Sequence, residues 1–150
     1  MFNVFSDLGW HSATANIFNG ALIIKGLVDC IFVWHIIREL KIQDWRVKAF
    51  LYLPVVSFIF IGIVPKFPLR PLHWFFVGLT FVSWLVSQYL YAKYSNSKAF
   101  VEQTKFIIIV EVIFVVFTFP QLLFLGAGEI CFMALATMWL LEFNKILFKR

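Results

Sequence analysis

The sequence predicts an all-α, polytopic integral membrane protein. The expected form is a helical bundle of about five transmembrane helices, N-terminus outside and C-terminus cytoplasmic. Three observations predict it. Hydrophobic residues make up 62% of the 150 and charged residues only 14%, against about 45–50% and ~25% in a soluble domain. The apolar residues lie in continuous runs close to the ~20 needed to cross a bilayer as a helix at ~1.5 Å rise. Lys and Arg gather in alternate connections between the runs.

The first span is expected from about Ala13 to Ile37. The second runs from about Val47 to Val64 and stops at Pro65. The third opens near Pro71 and ends at about Tyr91. Pro65, Pro68 and Pro71 bracket the connection between them, since proline removes a donor and clashes with the preceding turn. The fourth span covers about Phe100 to Phe119 and stops at Pro120, after the polar turn Tyr94-Ser95-Asn96-Ser97-Lys98. The last covers about Leu122 to Leu141, and the nearly uncharged connection around Pro120 implies a tight hairpin. Buried soluble helices are shorter, and the runs lack the alternation of a membrane β-barrel. No long linker, internal repeat or low-complexity tract divides the chain, so residues 1–150 are read as one transmembrane helical bundle domain.

Basic residues set the orientation. Arg38, Lys41, Arg46 and Lys48 follow the first span; Lys93, Lys98 and Lys105 follow the third; Lys145, Lys149 and Arg150 end the chain. The opposite side has only Lys66 and Arg70, with Lys25 inside the first span. Short loops rich in Lys and Arg stay in the cytoplasm. The net charge of +5 therefore reads as topology and attraction to anionic headgroups. Membrane lipids are the expected partners and nucleic acid is not. The first twelve residues lack the basic start and apolar core of a cleavable signal, so none is expected. The localisation predicted is the cell membrane, multi-pass.

An ionisable group in a bilayer costs about 2.5–3.5 kcal/mol on insertion scales, so it faces other helices, water or a counter-charge. Four such groups occur: Lys25 and Asp29 in the first span, Glu111 in the fourth, Glu129 in the fifth. Lys25 and Asp29 are four apart on one helix face and can pair directly. Glu111 and Glu129 each lie ~12 Å from the outer end of their spans, and Lys25 ~18 Å along the first. A lysine between two glutamates would offset part of the cost. Alternatively, two close carboxylates would share a proton. The Lys25–Asp29 pairing is preferred.

Nearer the outer side are Asp7, His11 and His73. With Glu111 and Glu129 they are the candidate polar cluster. Asp, two His and Glu129 form a conceivable zinc set, but no tight ligand spacing supports it. Ordinary hydrogen bonding is preferred for these histidines and for His35, and no metal or other cofactor is expected. Asn16, Asn19, Gly20 and Cys30 share a broad side of the first span at 100° per residue and are read as helix packing. Cys30 and Cys131 are read as buried small hydrophobes. Trp10, Trp45, Trp74 and Tyr91 near span ends form the aromatic belt. There is no Walker loop, dinucleotide glycine fingerprint, His-Glu-x-x-His or Gly-x-Ser-x-Gly.

Three stretches carry a family resemblance: SDLGWHSATANIFNGALIIKGLVD from Ser6 to Asp29, GIVPKFPLRPLHWFFVGLTF from Gly62 to Phe81, and GAGEICFMALATMWLLEF from Gly126 to Phe143. Together they resemble the prokaryotic membrane family known as domain of unknown function 998, itself distantly like the DRAM and Sfk-type membrane proteins. The matching elements are Ser-Asp-Leu-Gly before a helix with Phe-Asn, Gly-x-x-Pro followed by Leu-His, and an outer-half Glu in the last helix. The resemblance implies roles for Asp7, Gly9, Asn19, Pro65, His73 and Glu129. It also implies a further helix before Ser6. Either that helix is absent here or a partner subunit fills its place.

The family name supplies no reaction, and the catalytic residues are unknown. The expected function is a structural or accessory subunit, or scaffold, of a larger membrane complex without catalysis of its own. Its partners would be other membrane subunits or further copies of the chain. One alternative is a membrane enzyme or transporter acting on a lipid or polar solute through the outer Asp/His/Glu cluster. Another is a lipid-binding regulator.

Overall fold

The computed structural model describes residues 14–64, 69–118 and 125–148, without the side chains of 117–118, 125–132 and 148. Five α-helices follow one another: α1 (Ala15–Glu39), α2 (Trp45–Ile63), α3 (Arg70–Tyr94), α4 (Lys98–Thr118) and α5 (Leu125–Phe148). No strand occurs among the described residues. All five expected segments are helical, and α5 runs several residues past the expected Leu141. Among the described residues α1, α2 and α3 are long and apolar enough to cross a membrane. The 21-residue α4 carries Glu102, Lys105 and Glu111 among its apolar residues.

Local chemistry sets the helix ends. Ile42 N–H donates to the Ile37 carbonyl and Lys41 N–H to the Arg38 carbonyl, with Lys41 left-handed at φ 52°. That closes α1 as a glycine C-cap would, here with a lysine. The Asp44 carboxylate accepts from the Arg46 N–H at 2.8 Å and caps α2. Val64 ends α2 in an extended conformation, as a residue before proline must. Pro71 falls in the first turn of α3, where a missing N–H costs nothing. Asn96 takes the left-handed position after α3, at φ 57°, and the Ser97 hydroxyl accepts from Phe100 N–H at the start of α4. Pro54 lies buried inside α2. It has no N–H for the Phe50 carbonyl, a gap membrane helices tolerate when neighbours or waters re-satisfy the freed group.

The helices form two units: α1, α2 and α3 as far as Ser87, and α3 from Gln88 with α4 and α5. In the first, α1 packs against α2. The approach is close at two glycines. A Cβ on Gly62 would come within 2.8 Å of the Asn19 carbonyl oxygen, and one on Gly26 would collide with the Ile59 side chain. A Cβ on Gly20 would meet nothing within 4 Å. Phe60 of α2 stacks on Phe76 of α3 with centroids 4.8 Å apart.

In the second unit the core is aromatic. Trp139 and Phe143 of α5 stack with centroids 5.2 Å apart. Phe100 of α4 lies 5.6 Å from Trp139, and Tyr91 of α3 lies 5.5 Å from Phe143. Such pairs add about 0.5–1.5 kcal/mol beyond their burial. The Trp139 Nε1–H donates to the Thr104 hydroxyl at 2.9 Å, which gives the indole its polar partner.

The surface is unlike that of a soluble bundle, and several polar side chains lie within the apolar core. Ser57, His73, Ser83, Ser87, Gln88, Thr104 and Glu111 are buried, while Ile17, Ile31, Phe75, Phe106 and Met138 are mostly exposed. Large contiguous apolar surface marks a partner or a membrane. With three helices able to span, the chain is a membrane protein.

The glycine geometry gives a paired test. Gly62→Ala should lower stability by about 1–3 kcal/mol, because the backbone at Asn19 must move. Gly20→Ala should be neutral or stabilising by up to about 1 kcal/mol, from helix propensity alone. Thermal unfolding of both variants in detergent checks the contrast.

Candidate functional site

Two polar features stand out from the apolar background, one buried and one exposed. The buried one joins α3 to α4 within the second unit. The Gln88 amide Nε2–H donates to Glu111 Oε1 at 3.2 Å. Both side chains are fully buried. Gln88 lies six residues before the end of α3, in the run Val86-Ser87-Gln88, and Glu111 lies among Ile109, Val110, Val112 and Ile113. Two acceptor oxygens, Glu111 Oε2 and Gln88 Oε1, have no hydrogen-bond partner among the described residues. A buried carboxyl held by one amide can accept a proton or a water on its free oxygen. It needs one, because an unsatisfied buried oxygen costs about 1–3 kcal/mol.

The exposed feature is on α1. The Lys25 ammonium pairs with the Asp29 carboxylate across one helical turn. The lysine also sits 5.0 Å from the Phe58 ring centroid of α2, where the ring face attracts a cation. The pair is exposed nonetheless, 61% at Lys25 and 33% at Asp29.

His73 is buried at the start of α3, and its Nδ1 lies 2.9 Å from the Val64 carbonyl oxygen. The carbonyl can only accept, so Nδ1 carries the proton. This bond satisfies a carbonyl freed at the end of α2 and ties the two helices across the proline-rich connection. It gives His73 an ordinary structural role.

The other expected site residues divide as follows. Asp7 and His11 lie outside the described residues, as does the side chain of Glu129 within α5. The proposed meeting of Glu129 with His73 or with Ser6–Gly9 therefore falls outside them too. Of the packing set, Asn19 meets α2 through its backbone, Asn16 is exposed and Gly20 faces open space. Cys30 is a half-buried free thiol. Among the described residues no three His, Cys, Asp or Glu side chains are grouped to hold a metal ion.

Sequence reasoning missed Gln88, Thr104 and the close-approach glycines Gly26 and Gly62. Gln88 had a signal, an amide inside an apolar run. The charge-cost argument that picks out Lys25, Asp29, Glu111 and Glu129 does not reach a neutral amide. Gly26 and Gly62 had none, because a lone glycine in a helix does not reveal which neighbour approaches it.

No known protein family, curated protein or solved structure matches the chain.

The buried pair makes a quantitative test. Gln88→Leu should destabilise the protein by about 1–3 kcal/mol, because it strands the Glu111 carboxyl. Gln88→Leu with Glu111→Leu should recover much of that loss, since the penalty belongs to the unpaired polar group. A double-mutant cycle on thermal stability in one detergent reads the coupling.

Proposed function

We propose that this chain is a structural or accessory subunit of a larger assembly in the cell membrane, with no catalysis of its own. All five helices span, with the N-terminus outside and the C-terminus in the cytoplasm. The single observation that carries the subunit reading is the exposed Lys25–Asp29 pair in the middle of α1. Lys25 lies ten residues from Ala15 and Asp29 ten from Glu39, about 15 Å from either end of the helix. That is half of a hydrocarbon core about 30 Å thick. An ammonium at that depth cannot reach the headgroups. Charges in the membrane face protein or water, not acyl chains. A face carrying such a pair is one that another protein covers.

The buried polar groups support the same reading. Gln88, Glu111, Thr104 and His73 are each matched to a neighbouring helix or helix end. Each holds neighbouring helices or a helix end together within its own unit. A second reading, a membrane enzyme or transporter, is favoured by one atom, the buried Glu111 Oε2 without a described partner. It would act as a proton or polar-solute station between α3 and α4.

Two measurements test the proposal. Extraction in mild detergent should give a particle heavier than one chain, with stoichiometric membrane partners or further copies. A monodisperse monomer with substrate-dependent uptake or turnover abolished by Glu111→Leu would favour the second reading. For topology, a membrane-impermeant thiol reagent added outside should label Leu69→Cys and miss Lys98→Cys. The reverse pattern would overturn the orientation.

A further inference from the structure

We propose that Glu111 is a neutral carboxylic acid, a proton-binding site buried between α3 and α4 whose Oε2–H donates to Gln88 Oε1. The Gln88 amide N–H already donates to Glu111 Oε1 at 3.2 Å. The bound proton closes the two side chains into a ring of two hydrogen bonds.

Donors and acceptors balance once that hydrogen is added. An ionised carboxylate only accepts, and the amide oxygen only accepts too. In an ionised pair, Glu111 Oε2 and Gln88 Oε1 are therefore two buried acceptors with no donor among the described residues. A proton on Oε2 makes that oxygen a donor and gives Gln88 Oε1 its partner, so one hydrogen satisfies both atoms. A bridging water would serve as well, but neither oxygen borders space that a water could enter. A metal cation needs several oxygen ligands and room of its own. A proton needs no room.

Charge points the same way. A carboxylate taken out of water neutralises unless a cation pairs with it. Among the described residues none pairs with Glu111. The described cations of this unit are Lys93, Lys98, Lys105 and Lys145, and all four are exposed. Lys105 pairs instead with Glu102, and Lys145 with Glu142. Glu111 stands about 20 Å along α4 from Lys98. One turn before it, Ile107 is buried as well. The polar partner that Glu111 does have, Gln88, is uncharged.

The test is infrared spectroscopy of the full chain in liposomes at neutral pH, with thermal unfolding of the same variants in detergent. The unmutated chain should show the carbonyl band of a hydrogen-bonded, protonated carboxyl, which shifts on exchange into heavy water. Glu111→Gln should remove that band. Gln88→Leu should keep it and move it to higher frequency, because the acid loses its partner. Exchanging the two residues, Gln88→Glu with Glu111→Gln, should restore it. Glutamine has the shape of the neutral acid and makes the same two hydrogen bonds. Glu111→Gln should therefore unfold at the temperature of the unmutated chain, while Glu111→Leu, which strands Gln88, should unfold lower. A spectrum from which Glu111→Gln removes no such band would overturn the proposal, because Glu111 would then be ionised. So would Glu111→Gln unfolding as low as Glu111→Leu. Stabilisation by sodium chloride over choline chloride that Glu111→Gln abolishes would also overturn it, by placing a metal cation on the pair.

Discussion

Hydrocarbon offers no hydrogen bonds, so each backbone N–H and C=O placed in it must find its partner inside the protein. The described chain answers that constraint with five helices and no strand. The ends of those helices, where the ladder runs out, are where the polar residues concentrate. Asp44 caps α2, His73 takes the carbonyl that α2 leaves at Val64, and Ser97 opens α4. Lys41 and Asn96 accept left-handed backbone so that α1 and α3 can close on themselves.

The same constraint sorts the side chains. Without water, burying an apolar side chain gains little over leaving it in lipid, so packing and hydrogen bonds hold the helices together. Gly62 and Gly26 bring α1 and α2 into close contact. Thr104 to Trp139 and Gln88 to Glu111 are the polar links of the second unit, set beside a stack of four aromatic rings. The Lys25–Asp29 pair is the exception that gives information. It is polar, central in its helix and exposed, and for that reason it anchors the proposal of a partner.

Much of the fold was legible in the sequence, because run length and proline are strong, local signals. The five helices fall where the apolar runs predicted, and the Tyr94–Lys98 turn joins α3 and α4 as read. The Lys25–Asp29 pairing was legible too, since a four-residue spacing fixes two side chains on one face. Azimuth was not. Depth along a span could be counted, but which helices face each other could not. Glu111 was therefore weighed against Lys25 and Glu129, while its observed partner is the uncharged Gln88. Pro54 escaped notice because it interrupts no apolar run: it sits inside α2 with the hydrophobic pattern unbroken on both sides.

The central claim is that lipid, not water, contacts the exposed apolar faces, and α4 is its hardest case because it carries four charged residues, Lys98, Glu102, Lys105 and Glu111. Nitroxide labels scanned along α4 in liposomes read this directly. Labels replacing Phe106, Ile109, Ile113 and Val116, which are 67%, 56%, 49% and 59% exposed, should be relaxed strongly by oxygen and weakly by a water-soluble nickel chelate. The balance should favour oxygen most near the middle of the helix. Strong relaxation by the chelate at all four positions would contradict the account, because it would put α4 in water.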